Sequence, residues 1–276
     1  MAKKSKLSAQ GNSDSTGNAK LLTPQQQRMQ KINPVQFSDL KAALRAGFAD
    51  FVKQPVLSML FGLIYAAFGW VLVGGLIWLD EIWMIIPFAV GFPLIAPFAA
   101  AGLYDISRRL EKGEAFSWSD IFLVVISQRN RELGWMAFVT LFIFWIWIYQ
   151  VRLLLAIILQ NQSFSTFDGF LNVITTTYNG FIFLGVGSLI GAFLSTVLFT
   201  VTVISMPILL DKEIDFVSAM VASIKTVAQN PLVMLCWGAF IAAAMILAIL
   251  PAFVGLIFVL PILGHATWHL YRRVID

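Results

Sequence analysis

The sequence predicts an all-α membrane protein of six transmembrane helices, with amphipathic helices at the membrane surface. Two observations carry this. Of 276 residues, 59% are hydrophobic and only 12% are charged, whereas a soluble domain is about half apolar and a quarter charged. The apolar residues also fall into six runs near the roughly 20 residues a bilayer core requires: 56–79, 82–106, 133–159, 178–210, 231–249 and 251–270.

Taken in order, residues 1–36 are polar, with early lysines, Ser, Asn and a QQQ run at 25–27. No apolar segment follows Lys3, Lys4 and Lys6 as a signal peptide would need. Such a composition buries too little apolar surface to offset its ordering entropy, so a disordered tail is expected. Residues 38–54 form an amphipathic stretch, with Leu40, Leu44, Phe48 and Phe51 on one face and Lys41, Arg45 and Lys53 elsewhere. A second such stretch, 215–230, places Val217, Met220, Val221, Ile224 and Ala228 together. A third, weaker one covers 116–130, with Trp118, Ile121, Phe122 and Val125 and a Ser117-to-Asp120 capping spacing. All three are expected at the membrane interface, cations at the headgroups. Pro87, Pro93, Pro97, Pro207 and Pro261 fall inside apolar runs, where neighbouring helices satisfy the freed carbonyls.

Orientation follows from the cations. With the N-terminus in the cytoplasm, the residues before the first apolar run, the 107–132 and 211–230 loops and the C-terminus hold all but one of the 19 Lys and Arg residues. The outer loops (Asp80-Glu81, 160–177 and the turn at Pro251) hold none. The exception is Arg152, near the outer end of its helix. It reads as an arginine reaching the outer headgroups, or as a charge lining a path and paired with Asp168, Asp80 or Glu81.

The two ends of the chain resemble each other. GFPLIAPFAAAGLYDISRR (91–109) aligns with GLIFVLPILGHATWHLYRR (255–273), and VKQPVLSMLFGLIYAA (52–67) with AQNPLVMLCWGAFIAA (228–243). The expected organisation is therefore a tail (1–36) and one membrane domain (37–276) of units 37–109, 116–210 and 215–273. The first and third units form a parallel repeat of helical hairpins. Gly187, Gly191 and Ser195 recur every four residues, a seam along which helices approach closely.

Few residues offer chemistry. His265 and His269, four apart, share a helix face and could hold a metal ion or haem. The repeat argues against this as a shared feature, because Ala101 and Asp105 stand opposite them. What the copies share is an aromatic and Arg-Arg helix end, which places His269 near the headgroups and His265 one turn deeper, bonded to a carbonyl or hydroxyl. A pseudo-twofold packing of the copies would bring Asp105 to His269 as a polar or proton-carrying pair. The alternative ties each to a headgroup or to Arg108 and Arg272. Asp211, directly after an apolar run, reads as a boundary or capping residue. The chain has no P-loop, GxSxG or HExxH, and Cys236 has no second cysteine to pair with. No enzyme, cofactor or nucleic-acid partner is expected.

Three phrases together carry a resemblance: GFPLIAPFAAAGLYDISRRLEKGE (91–114), SMPILLDKEIDFVSAMVASIKTVAQNP (205–231) and GHATWHLYRR (264–273). They resemble the signature segments of a bacterial integral-membrane family, domain of unknown function 2189, over about residues 35–275. The resemblance implies a multi-pass protein of the bacterial inner membrane and carries no activity, substrate or cofactor. Three functions remain open on this reading: an accessory or assembly component of a larger membrane complex, a small permease or channel, and a haem- or metal-binding protein using His265 and His269.

Overall fold

The computed structural model describes residues 32–78, 100–117, 119–120, 131–160 and 167–275. The elements in chain order are α1 (Phe37–Lys53), α2 (Pro55–Trp78), α3 (100–112), α4 (Arg131–Ile158), α5 (Phe167–Thr176), α6 (Tyr178–Thr202), α7 (Ser205–Asp211), α8 (Phe216–Gln229), α9 (Pro231–Ile249) and α10 (Leu256–Val274). No strand occurs among the described residues. The one β-bridge pairs Ile32 with Ile275, which sets the two described ends of the chain side by side.

Four stretches are long and apolar enough to cross a membrane: Pro55–Gly75, Glu132–Ile158, Tyr178–Asp211 and Pro231–Ile249. These match four of the six expected spans. Most of the 82–106 run lies outside the described residues. The sixth run, 251–270, does not form a comparable apolar span. Its helix, α10, starts only at Leu256, and its second half carries His, Trp, Tyr and Arg. Most of that half is buried by protein, with Trp268 and Tyr271 among the largest fully enclosed side chains, while Arg272 and Arg273 are exposed.

α10 is the axis of the main core, which gathers side chains from α1, α2, α3, α8 and α9. α1 and α2 run antiparallel to it as one kinked rod. Arg273 meets Asp39, Ala266 meets Gly47, and Leu256 and Ile257 meet Gly62, while Ala252 in the preceding turn bonds Trp70. Glycine is needed at both crossings. A Cβ on Gly47 would stand 2.5 Å from the Ala266 backbone nitrogen. At Gly62 it would stand 2.7 Å from the Ile257 carbonyl oxygen, the acceptor left without its amide partner by Pro261 four residues on. The Gly62 backbone closes over that freed carbonyl, as lipid does not.

The amphipathic stretches do form helices, and their faces sort differently from the expected pattern. α1 buries Leu40, Ala43, Gly47 and Asp50 against α10, while Phe48 points outward. α8 buries the small and polar Ala219, Ala222, Ser223 and Thr226 and exposes Val217, Val221 and Ile224. Each of these helices stops at a similar backbone kink, Gln54 at φ −131°, ψ 59° and Asn230 at φ −130°, ψ 52°. A proline then opens the next helix, where its missing N–H costs nothing. These two junctions are equivalent positions in the internal alignment. Of the third stretch, 121–130 lies outside the described residues; at its start Asp120 accepts from the Ser117 N–H at 2.8 Å.

Two expectations need correction. The tail is not wholly loose: Asn33 N–H donates to the Val274 carbonyl at 2.9 Å, and Val35 N–H to the Asn230 side-chain oxygen at 2.9 Å. The 160–177 segment, expected as an outer loop, contains a helix, α5, because Phe170 and Ile174 cover one end of the α4–α6 hairpin beside Trp147 and Phe183. The 178–210 run, which its sequence leaves open as straight, tilted or broken, breaks after Thr202. The Ser223 hydroxyl bridges the gap, accepting from Ile204 N–H at 3.2 Å and donating to the Thr200 carbonyl at 2.7 Å.

Gly47→Ala is expected to lower stability in detergent by about 1–3 kcal/mol, because two helix backbones must separate. Gly185→Ala, with nothing within 4 Å of the added carbon among the described residues, is expected to leave it unchanged or raised. Thermal melts of the two variants check this; equal effects would refute the close crossing.

Candidate functional site

The kink at Gln54 brings the last turn of α1 and the first turn of α2 to the same part of α10, and α3 packs against it from another side. Four helices thereby place five polar side chains in one row. Ser58 Oγ lies 2.9 Å from His265 Nε2, and His265 Nδ1 lies 2.8 Å from Ser107 Oγ. The Ser107 hydroxyl also bonds Asp50, and Asp50 Oδ2 lies 2.7 Å from His269 Nε2. Ser58, Ser107 and His265 have no exposed surface and Asp50 only 4%. The His269 side chain, at 20%, is the one opening of the row toward solvent.

The carboxylate sets the direction of every bond. Ionised Asp50 only accepts, so the Ser107 hydroxyl donates to it. The Ser107 oxygen then accepts from His265 Nδ1–H, which leaves Nε2 as an acceptor for the Ser58 hydroxyl. His269 Nε2–H donates to Asp50 from the other side. The row thus stabilises a neutral His265 in its Nδ1–H form. Burial, the largest influence on Asp50, works to raise its pKa. The hydrogen bond and charge of His269, with the Ser107 hydroxyl, outweigh it and hold the carboxyl below its ordinary value of 3.8.

The rest of GHATWHLYRR is tied in the same manner. Trp268 Nε1–H and Arg272 Nε–H donate to the two oxygens of Glu111, at 3.2 and 3.1 Å. The Tyr271 hydroxyl donates to Asp211 at 2.8 Å. Arg273 pairs with Asp39 at 3.3 Å. Asp211, the last residue of α7, is thus a tie between helices.

His265 and His269 do not converge. Both ring nitrogens of His265 are committed to serines, and His269 is committed to Asp50. Among the described residues no group of three or more His, Cys, Asp or Glu side chains is placed to hold a metal ion. The carboxylate that meets His269 is Asp50, not Asp105. α1, rather than α3, lies along that face of α10. The Asp105 carboxylate, fully buried, is instead neutralised on its own helix by Arg108 at 2.6 Å and Arg109 at 2.7 Å. Arg152 stands at an exposed position of α4; the side chain of Asp168 and residues Asp80 and Glu81 lie outside the described residues. Within the small-residue seam Gly191 packs on the Trp147 ring and Gly187 faces Leu154, both on α4, while Ser195 is exposed.

Sequence reasoning missed Asp50, Ser58 and Ser107. One signal was present: Leu40, Ala43, Gly47 and Asp50 recur at helical spacing, so a carboxylate continues an inward stripe of small and apolar residues.

Residues 85–211 match the family described as "Predicted integral membrane protein (DUF2189)", the same family that the three quoted segments resemble. No curated protein matches the chain, and no solved structure matches it.

Asp50→Ala strands the buried Ser107 hydroxyl and the part-buried His269 N–H and is expected to cost about 1–3 kcal/mol at neutral pH. Because the Asp50 pKa is depressed on folding, its contribution is present above the unfolded value and lost as pH falls through the folded one. The stability gap between the native protein and Asp50→Asn should therefore narrow as pH falls below the ordinary carboxyl value of 3.8. Melting curves on either side of that value check it; a gap independent of pH would assign the effect to packing.

Proposed function

We propose that this integral membrane protein is a non-catalytic accessory or assembly component of a larger membrane complex. In this reading it has six spans in the bacterial inner membrane, both termini in the cytoplasm, and a parallel repeat of its first and last hairpins. The carrying observation is where the polar groups go. His265, His269, Asp50, Glu111 and Asp211 are all spent on joining helices of the chain, and Asp105 is neutralised on its own helix. The long helices α4 and α6 meanwhile turn rows of large apolar side chains outward, among them Trp135, Phe138, Trp145, Leu189 and Phe193. Such a molecule offers a rigid frame and a broad apolar perimeter.

The side-by-side placement of Ile32 and Ile275 supports termini on one side, and the matching kinks at Gln54 and Asn230 support the repeat. The permease reading has less support. Thr196 and Thr202 donate to carbonyls of their own helix, at 2.7 Å each, and Ser188 and Ser195 are exposed on α6. The haem or metal reading would require His265 to give up a serine.

The test is affinity purification of the tagged full-length protein from mild detergent, with mass spectrometry and a visible spectrum on the same sample. The expected outcome is a colourless protein with stoichiometric membrane-protein partners. A solitary protein would sink the accessory reading and favour transport; a haem band would revive the histidine site.

A further inference from the structure

We propose that the outer face of α1 is a binding site for anionic phospholipids in the leaflet adjoining the α1–α2 junction. At 3.6 residues per turn, Phe37, Lys41, Arg45, Phe48 and Val52 fall along one side of the helix. That side faces away from the Leu40, Ala43, Gly47 and Asp50 seam against α10. Phe37, Phe48 and Val52 are more than half exposed, at 54%, 55% and 58%, and Lys41 and Arg45 are exposed between them.

Charge complementarity identifies the occupant. Arg108 and Arg109 are neutralised by Asp105, Arg272 by Glu111 and Asp211, Arg273 by Asp39, and Lys53 lies 3.6 Å from Asp50. Lys41 and Arg45, one turn apart, have no acidic partner among the described residues. A phosphodiester between them would be met by an ammonium and by a guanidinium able to donate two bonds. The flanking Phe37, Phe48 and Val52 fit the boundary between headgroups and acyl chains.

Position points the same way. Beyond Gln54 the stripe runs into exposed apolar positions of α2, Val56, Leu63, Ile64 and Val71, which belong to one of the apolar spans. A lipid whose chains lie along α2 would bring its headgroup to the level of α1. Meanwhile the Gly47–Ala266 crossing and the Asp50–His269 bond hold the helix in place from behind.

The test reconstitutes the full chain in phosphatidylcholine bilayers and compares spin-labelled phosphatidylglycerol with spin-labelled phosphatidylcholine as probes. The expected result is a several-fold preference for phosphatidylglycerol in the motionally restricted fraction. It should weaken at high salt and fall toward one in Lys41→Glu/Arg45→Glu. The charge-matched control Lys112→Glu/Lys225→Glu, at exposed cations elsewhere, should retain it. No preference in the native protein, or equal loss in both double variants, overturns the proposal; the latter would reduce it to net charge. Competition by inorganic phosphate would replace the lipid by a free anion and also overturn it. If the Glu pair fails to fold, Lys41→Gln/Arg45→Gln decides: a preference that survives it refutes the site.

Discussion

A polar stretch is buried in the middle of an apolar bundle, and the architecture is arranged to satisfy it. GHATWHLYRR holds two imidazoles, an indole N–H and a phenol, ends on two exposed guanidiniums, and finds no hydrogen-bond partner in the hydrocarbon of a bilayer. An unmet buried donor costs more than the net gain from a typical hydrogen bond. Most polar side chains of the stretch therefore recruit a partner on another helix, and those partners lie on α1, α2, α3 and α7. The position of α10 is over-determined, and the places of the other four follow from it.

The close helix crossings are the other half of the same constraint. Hydrogen bonds of 2.7–2.9 Å between short side chains such as Ser58, Ser107 and Asp50 and the α10 histidines require the backbones to approach closely. Gly47 and Gly62 permit that approach. The Gln54 kink is equally necessary, because a straight helix from Phe37 to Trp78 would carry Asp50 and Ser58 past their partners. Packing and polar satisfaction are one problem here, solved by two glycines and a proline-started helix.

Much of the helical plan was legible in the sequence. Apolar run length marks the spans, helical periodicity marks α1 and α8, and proline marks the start of α2 and α9. These are local signals, read within a window of about 20 residues. The break after Thr202 was not legible, because it depends on Ser223 reaching back from the next helix. The partners of the histidines were not legible either: 207 positions separate Ser58 from His265 and 219 separate Asp50 from His269, and no local pattern encodes such a meeting. Half of the expectation for His265 rested on sound chemistry, a ring bonded to a hydroxyl. The pairing of His269 with a carboxylate was also sound in kind, but α1 supplies it where the repeat pointed to α3.

The central helix also leaves the ribosome after every helix it joins. Asp50 and Ser58 enter or approach the bilayer about 200 residues before His265 is translated, an interval of roughly 10–40 s at ordinary elongation rates. Throughout it, α1 and α2 have neither their histidines nor the backbone they cross at Gly47 and Gly62. The early helices must wait as loosely held segments, hydrated at the headgroups or sheltered by other membrane proteins. The contacts of these helices with the central helix can form only after it has been made. The vulnerable period in the life of this protein is its synthesis.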